Sequence, residues 1–243
     1  MKSKEVAQMT IHTLYQHGTL GVLMAGALEG TAPIKELLKY GDYGIGTLEG
    51  GDGEMMIQDG VAYHISAEDE TVKALTGDEL TPYANVIQFQ ADTSFKCENE
   101  TEETLYKKIR HAMMSENLFS VVKISGHFKS MHGRVMPKQN PPYRKLIESA
   151  RQQPEYTCHD IEGTIIAFYT PEFYHGVGSA GFHPQFLSAD HSFLAHVLHF
   201  ETGHIQVEIQ NCQAFHQMLP STDSFLNKKI DFNHIREDIE EAE

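Results

Sequence analysis

The spacing of apolar positions changes character along the chain. In the first part, helical and strand spacings alternate. Thr31 stands where a cap would open a short helix over PIKELLKY, which Gly41 would end. GIGTLEGGDGEMMIQDGVAYHIS then reads as three short strands broken by GGDG and DG turns. VIQFQAD predicts a further strand. TEETLYKKIRHAMMS carries acids in its first turn and apolar residues at helical spacing, which predicts an amphipathic helix. LFSVVKISGHFKSMHGRVM alternates as a strand does, and PYRKLIESARQ predicts a short helix.

From about residue 160 the pattern is almost wholly β: GTIIAFYTPEF, AGFHPQFLS, FLAHVLHFET and HIQVEIQNCQAF follow one another between turn-like stretches. Such a succession predicts an antiparallel sheet or barrel. The acidic end, IREDIEEAE, predicts a helix whose charges form a solvated face.

Composition narrows the function more than the fold. With 243 residues, 40% of them hydrophobic, the chain can bury a core as one large domain or two small ones. A net charge of -15 argues against nucleic acid or an anionic membrane as partner, because both require a basic footprint. A small anionic substrate stays open, since one or two placed cations suffice for it. Cys97, Cys158 and Cys212 lie far apart without a CxxC pair and read as reduced thiols. MKSKEVAQMTIHTLYQHG lacks the apolar run and cleavage site of a signal peptide, and LGVLMAGAL at 20–28 is too short to cross a bilayer. The expectation is a soluble, cytoplasmic protein. GIGTLEGG breaks the GxGxxG spacing, so no phosphate-binding loop is read there.

The candidate chemistry lies in GFHPQFLSADHSFLAHVLHF, where His183, His191, His196 and His199 fall within residues 181–200. Residues two apart in a strand share a face, so His183 and Gln185 point together. In the next strand His196 faces the same way as Leu194 and Leu198, His199 faces the other way, and His191 falls in the turn. Adjacent strands would gather His183, Gln185 and His196 into a three-sided metal cradle, one side an amide oxygen. The plain alternative is a set of strand histidines satisfied by backbone carbonyls.

Several ordered blocks add to this. LYQHGTLGVLMAG (14–26), GDGEMMIQDG (51–60), HGRVMPKQNPPY (132–143), TPEFYHGVGSAGFHPQF (170–186), AHVLHFE (195–201) and the terminal DIEEAE resemble, in order, the signature blocks of the acetolactate decarboxylase family. The resemblance implies conversion of (S)-2-acetolactate to (R)-acetoin and carbon dioxide, with a zinc ion held by three histidines. The ligand positions fall on His183, Gln185 and His196. The second is usually histidine in that family; LAH here replaces the usual GGH, and His199 stands where aspartate is common. The resemblance also implies active-site roles for Glu54, Arg134 and the last residue, Glu243. It further implies a homodimer and an α+β architecture: a mixed β-sheet domain with helices over 1–157, and an antiparallel β-barrel-like domain over 158–243 that carries the metal.

The chemistry explains why such groups belong together. Loss of carbon dioxide leaves an electron pair that the neighbouring ketone takes up as an enolate, and a divalent ion on its oxygen assists as a Lewis acid. Arg134 suits the departing carboxylate, which it can hold through parallel N–H bonds. Glu54 or Glu243 suits the general acid that returns a proton. The departures at Gln185 and LAH raise a competing expectation: a divergent relative that binds a small hydroxy or keto acid without turning it over.

Overall fold

The computed structural model describes residues 11–231 and 234–242, with backbone alone at 240. In chain order the strands are β1 (Thr13–His17), β2 (Ala32–Pro33), β3 (Tyr43–Leu48), β4 (Asp52–Gln58), β5 (Val61–Ile65), β6 (Lys73–Ala74) and β7 (Leu80–Thr81). They continue as β8 (Tyr83–Ile87), β9 (Thr93–Glu98), β10 (Phe119–Arg134), β11 (Glu155–Thr170), β12 (Gly181–Ser188), β13 (Leu194–Cys212) and β14 (Ala214–Met218). The α-helices are short: α1 (Leu20–Met24), α2 (Ile34–Leu37), α3 (Glu102–Ala112), α4 (Ile147–Ala150), α5 (Asp223–Leu226) and α6 (Ile235–Ala242). The class is α+β with strands dominant. No helix among the described residues is long and apolar enough to cross a membrane.

Two large sheets form. The first has the order β14-β1-β8-β3-β4-β5-β6, antiparallel except for the β1–β14 pair. The β4–β5 hairpin follows from Asp59-Gly60, whose φ angles of 51° and 79° match the twist of a two-residue turn. The second sheet has the order β10-β11-β12-β13-β9, and β10 also pairs with β13, so the pairings return on themselves. Register shifts along β10–β13, between Gly126 and Phe128 and again near His132, bend these long strands.

Packing follows from the alternation. Ile45, Met56 and Ile65 of the first sheet meet Val121, Ile166, Leu187 and Leu194 of the second in one buried layer. On the other side of the second sheet, α3 buries Leu105 and Ile109. That helix is well specified locally: the Thr101 side chain accepts from the Thr104 N–H, acids fill the first turn, and Arg110 and His111 lie in the last.

Several expected elements differ. Thr31 caps no helix; its hydroxyl meets His17 Nε2 at 2.7 Å, and Pro33 precedes the four-residue α2. The strand read as VIQFQAD begins earlier, at Tyr83, and ends at Ile87. PYRKLIESARQ shrinks to Ile147–Ala150. FLAHVLHFET and HIQVEIQNCQAF are largely one continuous strand, β13, because Thr202 pairs with Phe128 of β10 and the Asn99 N–H donates to Gly203 O in place of the expected turn. The border expected between 157 and 158 falls inside β11; β9 and β10 belong to the second sheet, and β14 returns to the first. The acidic end is helical, yet it is not only a solvated face: Ile239 is 0% exposed and Ala242 is buried beside it.

Candidate active site

Cross-strand pairing builds the site. Gln185 on β12 pairs with His196 on β13, and His196 pairs with Arg134 on β10. Residues directly opposite in antiparallel strands project to one face, so these three form a row. His183, two residues before Gln185, shares that face. The fifth group, Glu54, comes from the first sheet, where β4 lies over β12 and β13.

Glu54 is placed by the glycine-rich turn before it. Gly53 has φ 60°, and a Cβ there would lie 1.7 Å from Ile65 O, so this position requires glycine. The Gly53 N–H donates to Met136 O at 3.0 Å, and the Met136 N–H donates to Glu54 Oε1 at 3.2 Å. Gln185 Nε2 donates to Glu54 Oε2 at 2.8 Å and to Gly46 O at 3.3 Å. Both neighbours are acceptors, which fixes which end of the amide faces them.

That leaves Gln185 Oε1 buried, with no hydrogen-bond partner among the described residues. An unmet buried acceptor costs about 1–3 kcal/mol. Beside it, the His183 and His196 rings lie 4.9 Å apart at 80°. Two imidazoles on one tetrahedral ion, each with N at about 2.0–2.1 Å, have centroids roughly 5 Å apart. The donor set of two ring nitrogens and one orphaned oxygen therefore fits a divalent ion. Among the described residues no group of three His, Cys, Asp or Glu side chains is arranged to hold a metal.

These residues line one cavity of about 50 Å³, walled on its apolar side by Leu20, Leu23, Met24 and Leu146. Arg134 is 5% exposed, and its Nη2 donates to the Ala242 carbonyl at the end of α6. Ala242 itself lines the cavity. Glu243, the remaining expected site residue, lies outside the described residues.

The other two histidines of the cluster stand apart. His191 sits in the turn with φ 55°, its ring 4.4 Å from that of Tyr63. His199 is exposed on the opposite face and meets Glu102 at 2.9 Å. Tyr83 and Met136 are among the lining residues that the sequence reading did not single out. Tyr83 lies upstream of the strand read as VIQFQAD; its hydroxyl accepts from Asn85 Nδ2 at 3.1 Å. Met136 was legible in principle, since it lies two residues beyond Arg134.

Comparison with known proteins bears on the whole chain. A family model described as alpha-acetolactate decarboxylase matches residues 14–232. The alpha-acetolactate decarboxylase of Lactococcus lactis subsp. lactis is 42% identical over 235 residues, covering 96% of this chain and 99% of the relative. That of Bacillus subtilis is 30% identical, covering 96% and 91%. A solved Staphylococcus aureus protein of unknown function, described as similar to alpha-acetolactate decarboxylase, superposes with TM-score 0.93 at 50% identity, covering 95% of this chain and 100% of that one. The solved Bacillus subtilis alpha-acetolactate decarboxylase superposes with TM-score 0.92 at 30% identity, covering 95% and 99%. By sequence and by backbone, over nearly its full length, this chain belongs to the alpha-acetolactate decarboxylase family.

Proposed function

We propose that the chain decarboxylates (S)-2-acetolactate to (R)-acetoin and carbon dioxide, with a divalent ion, zinc foremost, held by His183, His196 and Gln185. The observation that carries this reading is the convergence of Glu54, Arg134, His183, Gln185 and His196 on one small cavity. When bound, the ion supplies electron withdrawal at the ketone oxygen.

The chain's own groups do the rest. Arg134, whose Nη2 donates to Ala242 O, binds the substrate carboxylate through its guanidinium N–H groups. That contact orients the bond to be broken. Glu54, whose two oxygens accept from the Met136 and Gln185 N–H groups, takes up a proton on a lone pair that neither donor uses and delivers it after carbon dioxide leaves. Glu243 is the second proposed proton donor. The apolar wall of Leu20, Leu23, Met24 and Leu146 keeps bulk water from the carbanionic intermediate.

The closed circuit of pairings through β10, β11, β12 and β13 supports reading the metal-carrying part as barrel-like. A cytoplasmic homodimer is part of the same proposal, and the three free cysteines fit a reducing compartment.

Purified protein loaded with zinc should release acetoin from acetolactate. Glu54→Gln should lower kcat by about 10²-fold or more, within the usual range for a lost general acid, and Arg134→Lys should mainly raise KM. Bound metal without turnover in the unaltered protein would favour the ligand-binding relative that Gln185 suggests.

A further inference from the structure

The geometry points to Gln185 as the residue that decides which divalent ion the chain takes. Its amide joins two tasks: the nitrogen anchors Glu54, and the oxygen completes a donor set of two nitrogens and one oxygen that accepts harder cations such as manganese. This inference rests on the reading that an ion sits between His183 and His196.

The amide cannot turn over without loss. Its Nε2 already serves Glu54 Oε2 at 2.8 Å and Gly46 O at 3.3 Å, and both are acceptors. Reversal would set the amide oxygen against a carboxylate and a carbonyl. Oε1 is thereby committed to the other side, where it is buried, without a hydrogen-bond partner among the described residues, in a wall shared with His183 and His196. Gln185 is 1% exposed, so bulk water does not satisfy that oxygen.

The donor chemistry then sets selectivity. Imidazole suits zinc, whereas amide and carboxylate oxygens suit manganese, magnesium and calcium. An oxygen in place of a third ring nitrogen lowers the advantage that zinc ordinarily holds over manganese. It also links the ion to the acid: an ion polarising Oε1 strengthens the N–H donation from the same amide to Glu54. A histidine at this position would supply one nitrogen to the ion and only one further ring N–H for Glu54 and Gly46 together.

The test compares the full-length protein with Gln185→His, Gln185→Asn and His196→Ala, each stripped with a chelator. Each is titrated with zinc and with manganese against a chromophoric chelator. The expected result is one bound ion in the unaltered protein, lost in His196→Ala. The ratio of zinc to manganese affinity should be at least about tenfold larger in Gln185→His. Gln185→Asn, which withdraws the amide by one methylene, should weaken manganese by about tenfold; it decides the matter should the histidine variant not fold. No ion in the unaltered protein, or equal binding after His196→Ala, overturns the ion site itself. An ion lost with His196 but held with an unchanged ratio in Gln185→His, or with unchanged manganese affinity in Gln185→Asn, overturns the role of Gln185 alone.

Discussion

At the scale of the residue, burial decides what a polar side chain does. Glu54 would be an ordinary strand-opening carboxylate if exposed; at 7% exposure, with two N–H donors on it, it is a positioned one. His17 shows the same principle away from the cavity. It lies buried on β1 against the Thr31 hydroxyl, and desolvation holds its pKa below the ordinary 6.5. Well above pH 6.5 the ring is neutral whether folded or unfolded and contributes nothing to pH dependence. As pH falls below 6.5 the unfolded chain takes up a proton that the folded chain resists, so stability is lost down to the depressed folded value. Urea unfolding between pH 7 and pH 5 should show this decline, and His17→Gln should flatten it. An equal slope in the variant would remove His17 as the cause.

At the scale of the element, α6 is instructive. Its ion pairs are conspicuous: Lys145 to Asp238 at 2.8 Å and Arg151 to Glu241 at 2.6 Å. Arg151 and Glu241 are both exposed, and such pairs contribute little. The docking strength lies in Ile239, wholly buried among Leu20, Leu23, Met24, Leu146 and Ile147. Ile239→Ala should weaken helix docking by about 2–5 kcal/mol, whereas Glu241→Gln should change it by less than about 1 kcal/mol. Hydrogen exchange over residues 235–242 measures both, and equal protection in the two variants would refute the ordering. Because Ala242 O receives the Arg134 guanidinium, undocking of α6 also loosens the proposed carboxylate-binding residue.

At the scale of the whole molecule, the sheets are knit by strands exchanged across the chain. β9 and β10 leave the first part of the sequence for the second sheet, and β14 comes back from the end to pair with β1. We therefore expect the described body to unfold as one unit. Phe128, fully buried with edge-on contacts to Phe186 and Phe200, gives the probe. Phe128→Ala should cost about 3–5 kcal/mol. Amides of β3 and β4 should then lose protection together with those of β10 and β13. Faster exchange confined to the second sheet would show instead that the two sheets open independently.

The sequence by itself determined whatever depends on neighbours a few residues away. The hairpin at Asp59-Gly60, the capped α3 and the shared face of His183 and Gln185 are all consequences of local dihedrals and side-chain period. The ordered blocks also carried the family, because many separate short matches in one order are specific together. Tertiary structure alone decided the register that sets His196 between Gln185 and Arg134, and the crossing of β4 that brings Glu54 onto the same amide. It also decided that Ile239 is buried and that Thr202–Gly203 continues a strand. These outcomes turn on partners more than a hundred residues away for Glu54, or on ladder bonds supplied by other strands. A local pattern holds no information about either, since the same residues satisfy their backbone groups equally well in a turn or at a solvated helix end.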